Sequence, residues 1–266
     1  MSAIQAVLTQ KTFVVATDTL VYKHFKDGSH VKCGYTSKFM HLPLFQTCAA
    51  LLGYSRLKID FYSFISEKVK ATDIEGLVEC TSEHLLDYLD LSKYRFSDQP
   101  GLGADEIGNI ELFGFSRTLN KLVYYRLEVD RSKINVFKEV EITETERICI
   151  QHPRIGADRS QVLLEQSEDM VQESVDIMKE MYRQSLDPTT QTVLLGGEIS
   201  VAVITSGPTF ACTFFSAHEF EDYKDYIKNE RWEQEVKQII RKHNEDMEDL
   251  DRAFAYMTQD TPALIV

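Results

Sequence analysis

The sequence lacks the short glycine-rich motifs with which many enzymes hold a nucleotide or a reactive serine. It contains no G-x-G-x-x-G fingerprint, no Walker loop and no G-x-S-x-G elbow. These absences argue against dinucleotide chemistry, P-loop phosphoryl transfer and the α/β-hydrolase fold. We interpret the glycines within residues 101–108 (GLGADEIG) as loop residues and expect no bound cofactor.

Cysteines and histidines are few and widely scattered. The five cysteines form no C-x-x-C pair, and the seven histidines show no metal-site spacing. An odd number of cysteines, mostly in apolar surroundings, is typical of proteins in a reducing compartment. We therefore expect a cytoplasmic protein without a structural metal.

Long apolar runs and a surplus of basic charge are also missing. No segment approaches the ~18 apolar residues of a membrane span, and the N-terminus lacks a signal-peptide pattern. The 42 acidic and 29 basic side chains give a net charge of −13, which repels nucleic-acid backbones and anionic lipids. We expect neither nucleic acid nor a membrane as a partner.

Hydrophobic patterning divides the 266 residues, of which 43% are hydrophobic, into blocks of strands and blocks of helices. Strands are predicted at 3–8, 12–17, 20–25 and 30–35, twice within 38–54, at 110–115, 122–129 and 134–140, and on both sides of a turn at 206–208. Another short strand is predicted within RICIQHPRIG (147–156), where Pro153 ends it. Helices are predicted at 55–70, within 74–91, at 158–185 and at 219–257, with an exposed loop at 97–108.

This order of antiparallel hairpins and grouped helices argues against a parallel βαβ sheet. It predicts an α+β fold, specifically a four-layer αββα sandwich of two stacked antiparallel sheets flanked by helices, with an extra C-terminal helix. We assign residues 1–217 to this domain. Residues 218–266 are predicted to form a charged helix and an apolar tail, packed on the domain or on a neighbouring subunit.

Three polar residues near the start of the chain form a candidate site. If an aminopeptidase removes Met1, Ser2 becomes the first residue, and its own α-amine, with an ordinary pKa of about 8, can serve as its base. A lysine such as Lys38 would lower proton affinities around the nucleophile, and a buried Asp18 would hold that lysine. The alternatives are an ordinary strand-starting serine and a purely structural Asp18–Lys38 ion pair.

The order of these segments resembles the N-terminal nucleophile (Ntn) hydrolases, specifically the proteasome β-subunit and the peptidase subunit of the bacterial ATP-dependent ring protease. In those families a strand that begins with the nucleophile precedes a V-V-x-A-x-D strand and a K-x-x-x-L strand. Here the three segments read SAIQAVL, FVVATD and SKFMHL. Residues 186–205 (LDPTTQTVLLGGEISVAVIT) resemble the family's supporting Asp-x-x-Ser/Thr, Gly-Gly turn and following strand. The resemblance spans roughly residues 2–215.

The resemblance implies a role for each matching position. Ser2 would attack the substrate, Lys38 would tune the site, Asp18 would orient it, Asp187 and Thr190 would support it, and an amide near Gly53 would face the oxyanion. The sequence departs from the family at Leu20, where the family has an arginine. It departs again at residues 151–153 (QHP), where the family has Ser-Gly, so His152 is either a supporting residue or a satisfied core histidine.

The resemblance also implies a function. We expect a proteasome-like peptidase or amide hydrolase that assembles into a homo-oligomer such as a ring, acts on peptides or unfolded proteins, and works with an ATPase partner. One alternative is a catalytically inactive scaffold or interaction protein of the same fold, which Leu20 and the QHP segment favour. Another is an unrelated α+β binding module, favoured if Asp18 and Lys38 lie far from residue 2.

Overall fold

A computed structural model describes residues 3–24, 30–94, 105–138, 148–152, 169–186, 194–206 and 210–228, together with helical residues 234–235, 237–238 and 240–242. The strands are β1 Ile4–Leu8, β2 Thr12–Asp18, β3 Leu20–His24, β4 His30–Tyr35, β5 Phe39–Leu42, β6 Thr47–Gly53, β7 Glu106–Ser116, β8 Lys121–Asp130, β9 Ile134–Lys138, β10 Ile148–His152, β11 Glu198–Ser206 and β12 Phe210–Glu219. The α-helices with defined bounds are α1 Ser55–Lys68, α2 Ile74–Tyr88, α3 Met170–Ser185 and α4 Glu221–Lys228.

The strands form two five-stranded antiparallel sheets and one small ribbon. Sheet A has the order β10-β1-β2-β11-β12, sheet B has the order β5-β6-β7-β8-β9, and β3 pairs with β4. The N-terminal hairpin β1–β2 therefore lies inside sheet A, between strands that come much later in the chain. Every residue of β1 is buried, as expected for a central strand covered on both faces.

Three groups of buried apolar side chains hold these elements together. The first joins α1 and α2 to sheet B through residues such as Phe61, Leu77 and Ile110. The second contains side chains of both five-stranded sheets, including Phe13 of sheet A and Phe113 of sheet B, whose rings meet edge to face at 6.3 Å. The third joins α3 to β2, to β11 and to Ala3, which directly precedes β1. Apolar burial of this extent is the main stabilising contribution to the fold.

The structure confirms the mixed α+β composition with several antiparallel sheets. The helix predicted at 55–70 is α1, and the helix predicted within 74–91 is α2, which ends at Tyr88. The Asp73 side chain fixes the start of α2 by accepting a hydrogen bond from the Gly76 amide at 2.9 Å. In the predicted helix 158–185, residues 158–168 lie outside the described residues and α3 accounts for the remainder. The described part of the predicted helix 219–257 is α4 and the helical residues within 234–242.

The predicted loop at 97–108 is wrong at its end, because β7 already begins at Glu106. Ile107 is fully buried, and Gly108 pairs with Gly53 of β6. A Cβ on Gly108 would stand 2.1 Å from the carbonyl oxygen of Leu52. Gly108 is therefore a point of close strand approach instead of a strand breaker. In the described part of the chain, no helix is long and apolar enough to cross a membrane.

Candidate active site

Asp18, the last residue of β2, is the centre of the candidate site. Its side chain is fully buried. One carboxylate oxygen, Oδ1, accepts hydrogen bonds from the backbone amide of Ala3 at 2.9 Å and from the ammonium of Lys38. The other oxygen, Oδ2, accepts from the amide of Leu20 at 3.3 Å. These three donors, one of them an ammonium, offset the cost of burying the carboxyl group.

The two sheets bring these groups together. Ile4 pairs with Thr17 across the β1–β2 ladder, so the register places Ala3 beside Asp18. Lys38 directly precedes β5 of sheet B, and its carbonyl oxygen accepts the Leu51 amide at 3.1 Å. The Asp18–Lys38 ion pair thus connects the N-terminal hairpin of sheet A to the edge of sheet B.

The environment of Lys38 changes its acid–base properties. Its side chain is only 6% exposed, so the ammonium has lost most of its hydration. Burial lowers the pKa of Lys38 below its ordinary value, and the attraction of Asp18 opposes that shift without cancelling it. The Lys38 ammonium is therefore a stronger acid than the ammonium of a surface lysine.

A pocket of about 120 Å³ opens beside this ion pair. Apolar lining comes from Leu20 and Leu51, and polar lining comes from Lys38, Tyr54 and Lys58. Since an ordered water needs roughly 10–15 Å³ of such space, the pocket has room for a small group of atoms such as one amino-acid side chain.

Gly53 lies at the end of β6 and lines the same pocket. Its φ of +106° lies in the region that glycine adopts readily, and an added Cβ would stand 2.5 Å from the carbonyl oxygen of Ile107. Only glycine fits between the pocket and β7. The position implied for the oxyanion amide is therefore at the pocket wall.

The Gly-Gly segment before β11 fixes the backbone directly after Asp18. The amides of Thr19 and Leu20 both donate to the Gly196 carbonyl, at 3.3 and 3.2 Å. The Glu198 amide donates to the Thr19 hydroxyl at 2.9 Å. Gly197 has a φ of +83°, and a Cβ there would meet that same hydroxyl at 2.3 Å. This segment is a second support for the turn that carries the carboxylate.

The remaining predicted positions are only partly described. Ser2, Asp187 and Thr190 lie outside the described residues. His152 is the last residue of β10, and its backbone pairs with Ile4, next to Ala3. Leu20 is buried and forms part of the pocket wall. Within the described ranges, no group of three or more His, Cys, Asp or Glu side chains could hold a metal ion.

The chain is similar to two solved structures of proteins called Anbu. With an Anbu (Gly-1) mutant from Hyphomicrobium sp. strain MC1 it shares 12% identity over 100% of both chains, at a TM-score of 0.48. With Anbu (ancestral beta-subunit) from Yersinia bercovieri it shares 12% identity over 99% of each chain, at a TM-score of 0.49. No protein-family model and no curated protein matches the sequence. Likeness at this level assigns no activity.

Two features of the site escape sequence reasoning. The Ala3 amide carries no side-chain signal, so its bond to Asp18 follows only from the strand register. Lys58 lies in a helix of mixed polarity, and its sequence pattern does not distinguish it from the other lysines of that helix. The sequence does offer one indirect signal for Lys58: α1 starts two residues after Gly53, so the first turn of the helix must lie near the same pocket.

Proposed function

We propose that the chain is an Ntn-type peptidase or amide hydrolase that uses Ser2 as its nucleophile once Met1 has been removed. The observation that carries this proposal is the convergence of the Ala3 amide and the Lys38 ammonium on Oδ1 of Asp18. Ser2 directly precedes Ala3 in the chain, and the Ala3 amide is anchored to this ion pair. Such an arrangement supports a nucleophile at residue 2.

The proposed reaction needs no metal or cofactor. The Ser2 hydroxyl attacks the carbonyl carbon of an amide, and the free α-amine of the same residue takes the hydroxyl proton. The C–N bond then breaks, the departing amine receives that proton, and water hydrolyses the ester left on Ser2. Lys38 stabilises negative charge near the nucleophile, and an amide at Gly53 faces the oxyanion.

Supporting roles are proposed for Asp187 and Thr190, and for His152. Asp187 and Thr190 follow α3, whose last residue, Ser185, is buried and donates a hydrogen bond to the Tyr182 carbonyl at 2.7 Å. His152 ends a strand that neighbours β1.

At the level of architecture we propose a four-layer αββα sandwich. The three apolar groups support the order of helices α1 and α2, sheet B, sheet A and helix α3. We also propose that residues 1–217 form this domain, and that residues 218–266 pack on it or on a neighbouring subunit. The partners we propose are further copies of the chain in a homo-oligomer such as a ring, a peptide or unfolded-protein substrate, and an ATPase.

A second candidate function is an inactive scaffold or interaction protein of the same fold. The feature that favours it is Leu20, a buried leucine where the resembling family has an arginine. In that case Asp18 and Lys38 would serve only as a structural ion pair between the sheets.

Activity measurements on a small set of variants separate the two candidates. The chain produced with residue 2 exposed should cleave fluorogenic peptide amides, and Ser2→Ala should abolish the cleavage. Ser2→Thr, which keeps a hydroxyl nucleophile, should retain part of the activity. Cleavage that persists in Ser2→Ala would contradict the proposal, and a chain that keeps Met1 in its working form would favour the scaffold.

A further inference from the structure

Lys58 places an ammonium in the pocket, beside the candidate site. It lies in the first turn of α1, and its Nζ donates a hydrogen bond to the carbonyl oxygen of Ser37, which also lines the pocket. An ammonium has three N–H donors, so a single carbonyl acceptor leaves it with donors to spare.

The charge of Lys58 has no counter-ion among the described residues. Lys38 is balanced by Asp18, and the neighbouring Arg56 pairs with Asp60 at 3.1 Å. None of the described residues that line the pocket is an aspartate or a glutamate. Lys58 is partly buried, and loss of hydration lowers its pKa. A partly desolvated cation without an acid partner gains most from an anionic ligand.

The start of α1 adds to the positive potential. The helix begins at Ser55 on the pocket wall, and Tyr54 precedes it without a side-chain cap hydrogen bond. The positive end of the helix dipole therefore lies beside the Lys58 ammonium. Leu20 and Leu51 supply apolar contact for the methylene groups of an acidic side chain.

We propose that this pocket selects an acidic side chain, so that substrates carry glutamate or aspartate on the carbonyl side of the cleaved bond. This inference rests on the proposed function, because it places the bound side chain next to the reacting carbonyl. The chain as a whole, with its net charge of −13, would repel such a substrate, and the Lys58 ammonium offsets that repulsion locally. A charge-assisted hydrogen bond of this kind is expected to favour glutamate over glutamine by about 10- to 100-fold.

The hydrolysis arm of the test compares peptides that differ only at that residue. C-terminally blocked fluorogenic peptides with Glu, Gln or Lys are assayed for kcat/KM with the unmodified chain, Lys58→Gln, Lys58→Glu and Lys68→Gln. Lys68 is the matched control, since it is an exposed lysine of the same helix. The ratio of kcat/KM for the Glu peptide to that for the Gln peptide should fall to within about twofold of one in Lys58→Gln and stay unchanged in Lys68→Gln. In Lys58→Glu the Lys peptide should become the preferred substrate.

The binding arm does not depend on catalysis. Titration calorimetry with a non-cleavable, C-terminally amidated glutamate peptide and its glutamine twin should show the same preference and the same dependence on Lys58. If the chain binds the glutamate peptide more tightly than the glutamine peptide but hydrolyses neither, the inference that the pocket selects an acidic side chain stands and the proposed hydrolase activity is wrong. Hydrolysis without a glutamate preference overturns the inference and leaves the hydrolase intact. Equal or undetectable binding of both peptides, without hydrolysis, overturns both.

Discussion

The folding stability of this protein should depend on pH through one buried carboxyl group, Glu111. This residue lies in β7 and is 1% exposed, on the same face of sheet B as Phe113, which contacts sheet A. The Tyr124 hydroxyl donates to its carboxylate, and Arg126 Nε lies 3.6 Å from Oε1. Burial raises the pKa of Glu111 to about 7, against the lowering effect of Tyr124 and Arg126.

The sign and the size of the effect follow from linkage. In the folded chain the proton is held up to a higher pH than in the unfolded chain, where the glutamate pKa is about 4.3–4.5, so stability is lost as pH rises through about 7. Between pH 5.5 and pH 8.5 the equilibrium ratio of folded to unfolded chain should therefore fall roughly 30-fold. That ratio corresponds to about 2 kcal/mol of unfolding free energy.

Urea unfolding at both pH values measures this loss directly. Glu111→Gln keeps the shape and an acceptor for the Tyr124 hydroxyl but cannot ionise, so its stability relative to the unmodified chain should increase by about 2 kcal/mol from pH 5.5 to pH 8.5. Glu79→Gln, at an exposed position of α2, is the control and should show no such trend. A pH-dependent difference below about 0.5 kcal/mol for Glu111→Gln would refute the reasoning.

Two further changes test the supports of the candidate site. Asp18→Asn leaves the Lys38 ammonium buried without its counter-charge, so it should cost about 3–5 kcal/mol of unfolding free energy and abolish peptide cleavage, whereas exposed Asp87→Asn should do neither. An equally stable and active Asp18→Asn protein would contradict the role given to this pair. Gly197→Ala should destabilise the chain by more than about 1 kcal/mol in urea, because its Cβ would meet the Thr19 hydroxyl at 2.3 Å. Gly34→Ala, also at positive φ but with nothing within 4 Å of the added Cβ, should cost distinctly less, and equal losses would show that the contact is unimportant.

Local patterns in the sequence predict much of the fold. Two short apolar runs rich in β-branched residues and the turn at 9–11 identify the β1–β2 hairpin, and helical spacing identifies α1 and α2. The partners of that hairpin in sheet A cannot be predicted in this way, since periodicity reports which face of a strand is buried and not which strand lies beside it. The long-range pairing of β1 with β10 and of β2 with β11 therefore appears only in the structure.

The same limit explains Glu111. Alternation in β7 places it opposite the apolar Ile110 and Leu112, a pattern typical of a solvent-facing side chain. The face is covered, because sheet A packs over it through Phe13 and Phe113. A buried carboxylate therefore looks like a surface residue in the sequence. By contrast, the Asp18–Lys38 contact is predictable, because both residues belong to motifs whose order along the chain was informative.

The central claim is that residue 2 is a nucleophile positioned by Asp18. Its most direct test is intact and peptide mass spectrometry of the chain after treatment with an acylating electrophile such as a β-lactone. The account predicts that Met1 is absent and that one acyl group is attached to Ser2, with labelling lost in Ser2→Ala and strongly slowed in Lys38→Met. A chain that keeps Met1 in its working form, or an acyl group attached elsewhere while Ser2 remains unmodified, would contradict it.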